Sequence, residues 1–310
     1  MTAESYPRKQ HIAEIFELSK PLVNSKLVCL SDLNGEELEF MKEAWTKAEV
    51  ERRRQIISHL VHLSENDFRL DFSSTFLFCL RDTDESVRVQ SIAGLEIEEN
   101  YLLVAPLVWS LKEDDSTQVR AAAAMALGKF TMLAELGKLS TGYTDKIYTA
   151  LVEILDNKIE AAEVKRRALE AIAPLNLPRV KGFIENAYHS NDTKLKASSI
   201  HAMGRNCDTM WLPTLLTELN NDEAEIRYEA ANACAEFGAE EAVPYLIRMT
   251  ENEDAHVQET SIKALGEIGG EEAKQTLSNL VKNPQLHIQQ AAKSALKELL
   301  SCEDSLSLNL

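Results

Sequence analysis

The sequence predicts an all-α protein built as a stacked array of helical hairpins, and three observations carry that expectation. One is a line that the chain keeps rewriting: IRYEAANACAEFG at 226–238 returns thirty-one residues later as VQETSIKALGEIG from Val257, and stands thirty-one residues earlier as LKASSIHAMG from Leu195. Another is composition. Aromatics are 6% and glycine plus proline supply 19 of 310 residues, while alanine, leucine, glutamate and lysine dominate, which favours helices over sheets. The third is spacing within each line, where apolar or small residues fall at the first apolar residue and at +4, +7 and +8, as in Ile226, Ala230, Ala233 and Cys234. That is one stripe on one face of a helix.

The first apolar residue of each line serves as an anchor, and the anchors are Val87, Val119, Val164, Leu195, Ile226, Val257 and Ile288, spaced 32, 45, 31, 31, 31 and 31 residues apart. Periods of this length mark stacked arrays, because each hairpin leaves an apolar face that only its neighbour covers. The anchored helix is the second of each pair. The first helix precedes it and is opened by proline, as at Pro106, Pro213 and Pro244, where a missing N–H costs nothing. Between the two lies an acidic or amide-bearing turn, RDTDES, KEDDST, NNDEAE or ENEDAH, whose Asp and Asn side chains are placed to cap the second helix. Gly128, Gly204, Gly238 and Gly269 follow the stripe and are expected to stop that helix in a backbone conformation other residues resist.

These residues resemble the HEAT-repeat family, and more narrowly its short bacterial form, the phycobilisome-lyase-type HEAT-like repeat. The resemblance rests on DDSTQVRAAAAMALG at 114–128 and, more loosely, on DEAEIRYEAANACAEFG at 222–238. It implies a right-handed α-solenoid of about seven to eight HEAT-like hairpins. The expected organisation is an N-terminal cap with a degenerate first repeat over residues 1–70, whose line VERRRQIISHL begins at Val50, then a repeat array over 71–300 and a frayed tail over 301–310. The 45-residue interval exceeds its neighbours by 14 and predicts an insertion near 131–146, either a lengthened helix and loop or a projecting binding loop.

Fifty acidic against thirty-three basic residues give a net charge of -17, which repels phosphate backbones and argues against nucleic acid as a partner. The five cysteines are widely spaced without a C-x-x-C, as in reduced intracellular proteins. The opening MTAESYPRKQHIAEIF has no apolar signal core, and the longest apolar run, YLLVAPLVW at 101–109, is too short for a membrane span. A cytoplasmic location with no membrane partner is expected.

Chemistry has little to rest on. None of the seven histidines is followed by Glu, whereas the deoxyhypusine hydroxylases, which resemble this repeat family, hold two irons with repeated His–Glu pairs. His59 and His62 lie one turn apart and read as surface histidines. No phosphate-binding glycine loop, dinucleotide fingerprint or nucleophile elbow is present. The expectation is therefore no catalytic residue, no metal and no cofactor. A basic residue follows the anchor at Arg88, Arg120, Lys165, Lys196 and Arg227, giving way to Gln258 and Gln289, and reads as a ladder of hydrogen bonds between turns and helices that holds register.

Function is expected on the concave side of the array. With the anchor, +4, +7 and +8 buried, positions +2, +6 and +10 face away from the core at 100° per residue. The candidate partner-binding residues there are Val89, Ala93, Ile97, Ala121 and Met125 at an apolar N-terminal end. Arg166, Glu170, His201, Arg205, Tyr228, Asn232 and Glu236 follow toward an acidic C-terminal end. The reading is a non-catalytic scaffold binding a protein partner. A chromophore lyase or lyase subunit is the alternative of another class, and a HEAT-like DNA-binding protein ranks below it, opposed by Glu236, Glu259, Glu267 and Glu298.

Overall fold

The computed structural model describes residues 5–96 and 100–307, and all regular structure among them is helical. The chain forms two compact units, residues 1–171 and 172–310. In the first unit α1 (Ser5–Phe16) and α2 (Asn24–Leu27) precede the hairpins α3 (Gly35–Lys47) with α4 (Val50–Asn66) and α5 (Ser73–Cys79) with α6 (Glu85–Gly94). Two more follow, α7 (Val104–Glu113) with α8 (Thr117–Glu135) and α9 (Thr141–Asp156) with α10 (Ala162–Ile172). The second unit pairs α11 (Pro178–Tyr188) with α12 (Thr193–Asn206) and α13 (Leu212–Glu218) with α14 (Ala224–Phe237). It ends with α15 (Val243–Met249) beside α16 (Ala255–Ile268), and α17 (Glu271–Leu280) beside α18 (Leu286–Ser307). Every anchored line is the second helix of a pair, as its periodicity requires.

The stripe makes the core. Val87, Val119, Val164, Ile226, Val257 and Ile288 are all buried, and removing each from water stabilises the fold by roughly 1.5–3 kcal/mol. Leu195 is the exception and stays half-buried; the first turn of α12 opens outward there, and its stripe resumes at Ser199, Ala202 and Met203. The turns cap as their composition predicts. Asp84 accepts from the backbone N–H of Val87 at 3.2 Å, Asp192 from Lys194 at 2.9 Å, and Asp254 from His256 at 2.9 Å. Pro213 and Pro244 stand at the first turns of α13 and α15, where no helical N–H is lost.

The glycines divide into two kinds. Gly238 and Gly269, with φ of +66° and +75°, end α14 and α16 in the region that L side chains avoid. Gly128 and Gly204, expected to be stops, instead lie inside α8 and α12. They are there for closeness. A Cβ on Gly204 would come within 2.7 Å of the Cα of Ala233, and one on Gly128 within 3.3 Å of the Cα of Ala171. Gly266 meets Ala295 in the same way, at 2.8 Å from its Cβ. Position +9 of one second helix thus faces +7 of the next across a seam that crowds a methyl group, most tightly at Gly204 and Gly266.

The inserted segment lengthens helices. It carries α8 on to Glu135, turns at Gly137 with φ +69° and starts α9 at Thr141. The Thr131 hydroxyl ties the extension to α10 through the carbonyl of Ala171 at 2.5 Å, and Tyr143 packs on Tyr101 with ring centroids 5.1 Å apart. No described helix is long and apolar enough to cross a membrane.

Candidate functional site: the inner helix layer and its ladder

The ladder positions the second helices, and the structure gives it in atoms. Arg88 donates Nε and Nη2 to Asp114 at 2.7 and 2.8 Å, and Nη1 to the carbonyl of Asp82 at 2.8 Å. It is thereby fixed to its own turn and to the next. Asp114, whose side chain is only 3% exposed, also accepts from the backbone N–H of Ser116 at 2.9 Å. Arg120 repeats the pattern, donating to the carbonyl of Asp114 at 2.8 Å and to Glu160 at 2.8 Å. Burial pushes the Glu160 carboxyl up, and the hydrogen bonds from Arg120 and from the Ala161 N–H outweigh it, holding Glu160 below its ordinary value.

In the second unit Lys196 pairs with Glu218 at 3.0 Å. Burial and the Glu218 carboxylate push the Tyr188 hydroxyl up to about 12, so it donates to Glu218 as a neutral phenol. Arg227 donates to the carbonyls of Asn221 and Asp222 at 2.7 and 2.8 Å, and across to the amide oxygen of Asn252 at 3.2 Å. Gln258 meets His287 at 3.2 Å. Five of the seven expected rungs are present, as ion pairs at Arg88, Arg120 and Lys196, a guanidinium on an amide oxygen at Arg227 and an amide–imidazole contact at Gln258. Among the described residues Lys165 and Gln289 make no side-chain hydrogen bond to a neighbouring hairpin, Gln289 meeting Lys293 of its own helix.

Within each unit the second helices approach one another at the glycine–alanine seams, as at Gly128–Ala171 and Gly204–Ala233. This closely spaced layer of second helices, called the inner layer below, carries the candidate residues on its solvent face. The +6 row emerges throughout: Met125 is 51% exposed, Ala93 is exposed, and Glu170, His201 and Asn232 are half-buried. The +2 row emerges in part. Val89 and Arg166 are half-buried and Tyr228 is 36% exposed, but Ala121 is covered to 8%, and Ala197 is covered too. Ala121 therefore does not belong to an open face, because a helix flanked on both sides hides a methyl group that a longer side chain would carry past its neighbours. Ile97 lies outside the described residues.

The two ends of the candidate set differ in chemistry. In the first unit Val89, Ala93 and Met125 offer apolar surface, next to Arg166, which pairs with Glu163 at 2.7 Å, and Glu170, which pairs with Arg167 at 2.9 Å. The second unit presents charges in looser pairs. His201 stands 3.5 Å from Glu229, and Arg205 3.9 Å from Glu236. Protein atoms around Glu236 take water away from its carboxylate and raise it above its ordinary value, with Arg205 and His201 opposing and Glu267 and Glu229 adding to the rise. Sequence reasoning missed a further feature at the hairpin turns, where Arg81 lies over the Trp109 ring, 3.5 Å from its centroid. The two residues share no period, so no repeat signal links them.

Among the described residues no three His, Cys, Asp or Glu side chains converge as a metal set does. Comparison with known proteins places the fold. No curated protein matches the chain in sequence. Among solved structures it is similar to Kap95p from a complex with RanGDP, at 11% identity and a TM-score of 0.55, covering 97% of this chain and 47% of that one. It is also similar to the karyopherin Kap121p bound to the SUMO protease Ulp1p, at 14% identity and a TM-score of 0.50, covering 93% and 36%. The phycocyanin lyase complex of CpcE and CpcF from Nostoc is similar over 61% of this chain and 74% of that one, at 17% identity and a TM-score of 0.42. At these identities the likeness is one of fold. The family model for HEAT repeats matches residues 212–297, the hairpins from α13 through most of α18, and that segment is similar to HEAT repeats.

Proposed function

We propose that the chain is a non-catalytic scaffold that holds a protein partner on the inner helix layer, with residues 71–300 as the binding array and 1–70 as its cap. One observation supports this most directly: Met125 stands half-exposed on the packed layer, beside exposed Ala93 and half-buried Val89. Adjoining apolar side chains left in water on a packed helix layer are the kind of patch that meets a partner. The polar candidates, Arg166 and Glu170 in the first unit and His201, Arg205, Tyr228, Asn232 and Glu236 in the second, set specificity more than affinity. A net charge of -17 disfavours nucleic acid as the partner.

The test is Met125→Glu. Because the side chain is already half in water, the variant is expected to keep its stability within about 0.5 kcal/mol while weakening recovery of the native partner. Glu267→Lys, on an exposed position of α16, serves as the distant control. A stable Met125→Glu protein that retains its full set of partners defeats the proposal.

A further inference from the structure

On the hairpin-turn edge of the first unit, away from the inner layer, lies a hollow of about 310 Å³ lined by Trp45, Thr46, Arg53, Phe78, Arg81, Asp82 and Thr83. Its charges do not balance. Asp82 is the sole carboxylate of the lining and is already engaged: its carboxylate accepts from Trp45 Nε1 at 2.6 Å and from the backbone N–H of Asp84 at 2.8 Å, and pairs with Arg53 at 3.3 Å. Arg81 is left over. It is exposed, stacked on Trp109, and among the described residues its side chain forms no ion pair and donates no hydrogen bond. The lining therefore holds two guanidiniums against one saturated carboxylate, a positive spot on a chain of net charge -17.

We propose that this hollow docks the carboxylate groups of an extended acidic peptide segment from a partner protein. The Arg81 guanidinium carbon lies 3.5 Å from the centroid of the Trp109 ring and its N–H groups are not donated within the described residues, which leaves them to bind a carboxylate through charge-assisted hydrogen bonds. Half-buried Phe78 forms an apolar wall for the aliphatic part of a Glu side chain above the buried Trp45 ring, and Thr46 and Thr83 are exposed at the edge of the hollow. Arginine and tryptophan in a groove are the residue types that dominate binding energy at interfaces. The adjoining hollow of about 400 Å³ shares Arg81 and Asp82 but ends on exposed Glu113 and Asp115, which repel an acidic segment and confine its charge to the first. In the second unit the hollow at Asn221 sets Arg227 and Arg248 against Asp222 and Glu253, a balanced lining with no such preference. The site is separate from the inner-layer reading, and each can fail without the other.

Fluorescence polarisation at low salt, with the full chain and a labelled decapeptide of alternating Glu and Ser, tests the assignment. Binding is expected for this peptide and not for its Gln–Ser counterpart, and Arg81→Gln is expected to weaken it about tenfold, the loss of one charge-assisted bidentate contact. Arg248→Gln should leave it unchanged. Arg81→Lys, which keeps the charge and loses the flat two-point contact, should fall between wild type and Arg81→Gln. Comparing the amidated peptide with the free acid separates the sources of the carboxylate: equal binding assigns it to side chains, and loss on amidation to the chain terminus. Absence of binding, binding indifferent to Arg81→Gln, or displacement by equimolar inorganic phosphate, which would mark a small-oxyanion site, each overturns the proposal.

Discussion

Arg88 on α6 and Gln258 on α16 occupy the same place in their hairpins, one residue past the anchor, and fix their neighbours with different chemistry. Arg88 closes a two-point ion pair on a nearly buried carboxylate, whereas Gln258 meets a histidine through one hydrogen bond between exchangeable groups. Both hold register. The comparison teaches that the rung needs a donor and an acceptor across the seam, and that charge raises the stakes without being required. A buried ion pair contributes little net stability, yet losing one partner strands the other's charge. The Arg227–Asn252 rung carries its charge on the donor alone, which also holds two backbone carbonyls, and the Gln258–His287 rung has no carboxylate to strand.

The largest effect is expected where that difference is greatest. Asp114→Ala removes the acceptor of Arg88 and the bond to the Ser116 N–H together, and should cost about 3 kcal/mol in urea unfolding. Asn252→Ala, which removes the amide acceptor of Arg227 and the bond to the Asp254 N–H, should cost about 1 kcal/mol. Equal losses would break the comparison and make the shared turn geometry, not the charge, the source of stability.

A second contrast lies in the seams. Gly204→Ala drives a methyl group to 2.7 Å from the Cα of Ala233, where only backbone can give way, while at Gly128 the corresponding distance is 3.3 Å. The former should destabilise by about 2 kcal/mol and the latter by less than about 1. Hydrogen exchange should locate the damage in α12 and α14 for Gly204→Ala, since coupling in repeat arrays runs between neighbours. Loss of protection across both units alike would contradict that locality.

What the sequence reveals here is what repeats. The stripe, the capping turns and the ladder are local or periodic, so a thirty-one-residue spacing exposes them at Val257, Asp254 and Arg227 alike. Gly128 and Gly204 were misleading because a glycine that stops a helix and a glycine that admits a neighbour look the same in one dimension; only the seam distance separates them. Ala121 misled for a related reason. A helical wheel assumes one packed face, but a second-layer helix is flanked on both sides, so short side chains at +2 vanish while the +6 position of Met125 emerges. The Arg81–Trp109 stack joins two hairpins at unrelated repeat positions, and no spacing rule points to it.

The smallest expected effect sharpens the same contrast through pH, with two carboxylates shifted in opposite directions. Glu160, in the first unit, is held below its ordinary value despite burial, by Arg120 and the Ala161 N–H. Its ionised form is the one the fold prefers, so its contribution is present above the unfolded-state value and is lost as pH falls through the lowered folded value. Glu160→Gln should therefore destabilise at pH 7 by about 1 kcal/mol, a deficit that shrinks in acid. Glu236 runs the other way. Its carboxyl is raised by the loss of surrounding water, with Glu267 and Glu229 reinforcing the rise, so the fold prefers its neutral form. That preference is fully met below the unfolded-state value and lost as pH rises through the raised one. Glu236→Gln should accordingly stabilise the second unit at pH 7 by no more than about 0.5 kcal/mol, because the side chain is still exposed and water screens most of the effect, and the gain should disappear in acid, where the wild-type carboxyl is itself protonated. Thermal melts of both variants across this range decide it: a Glu236→Gln gain that persists unchanged in acid would trace to packing instead of charge.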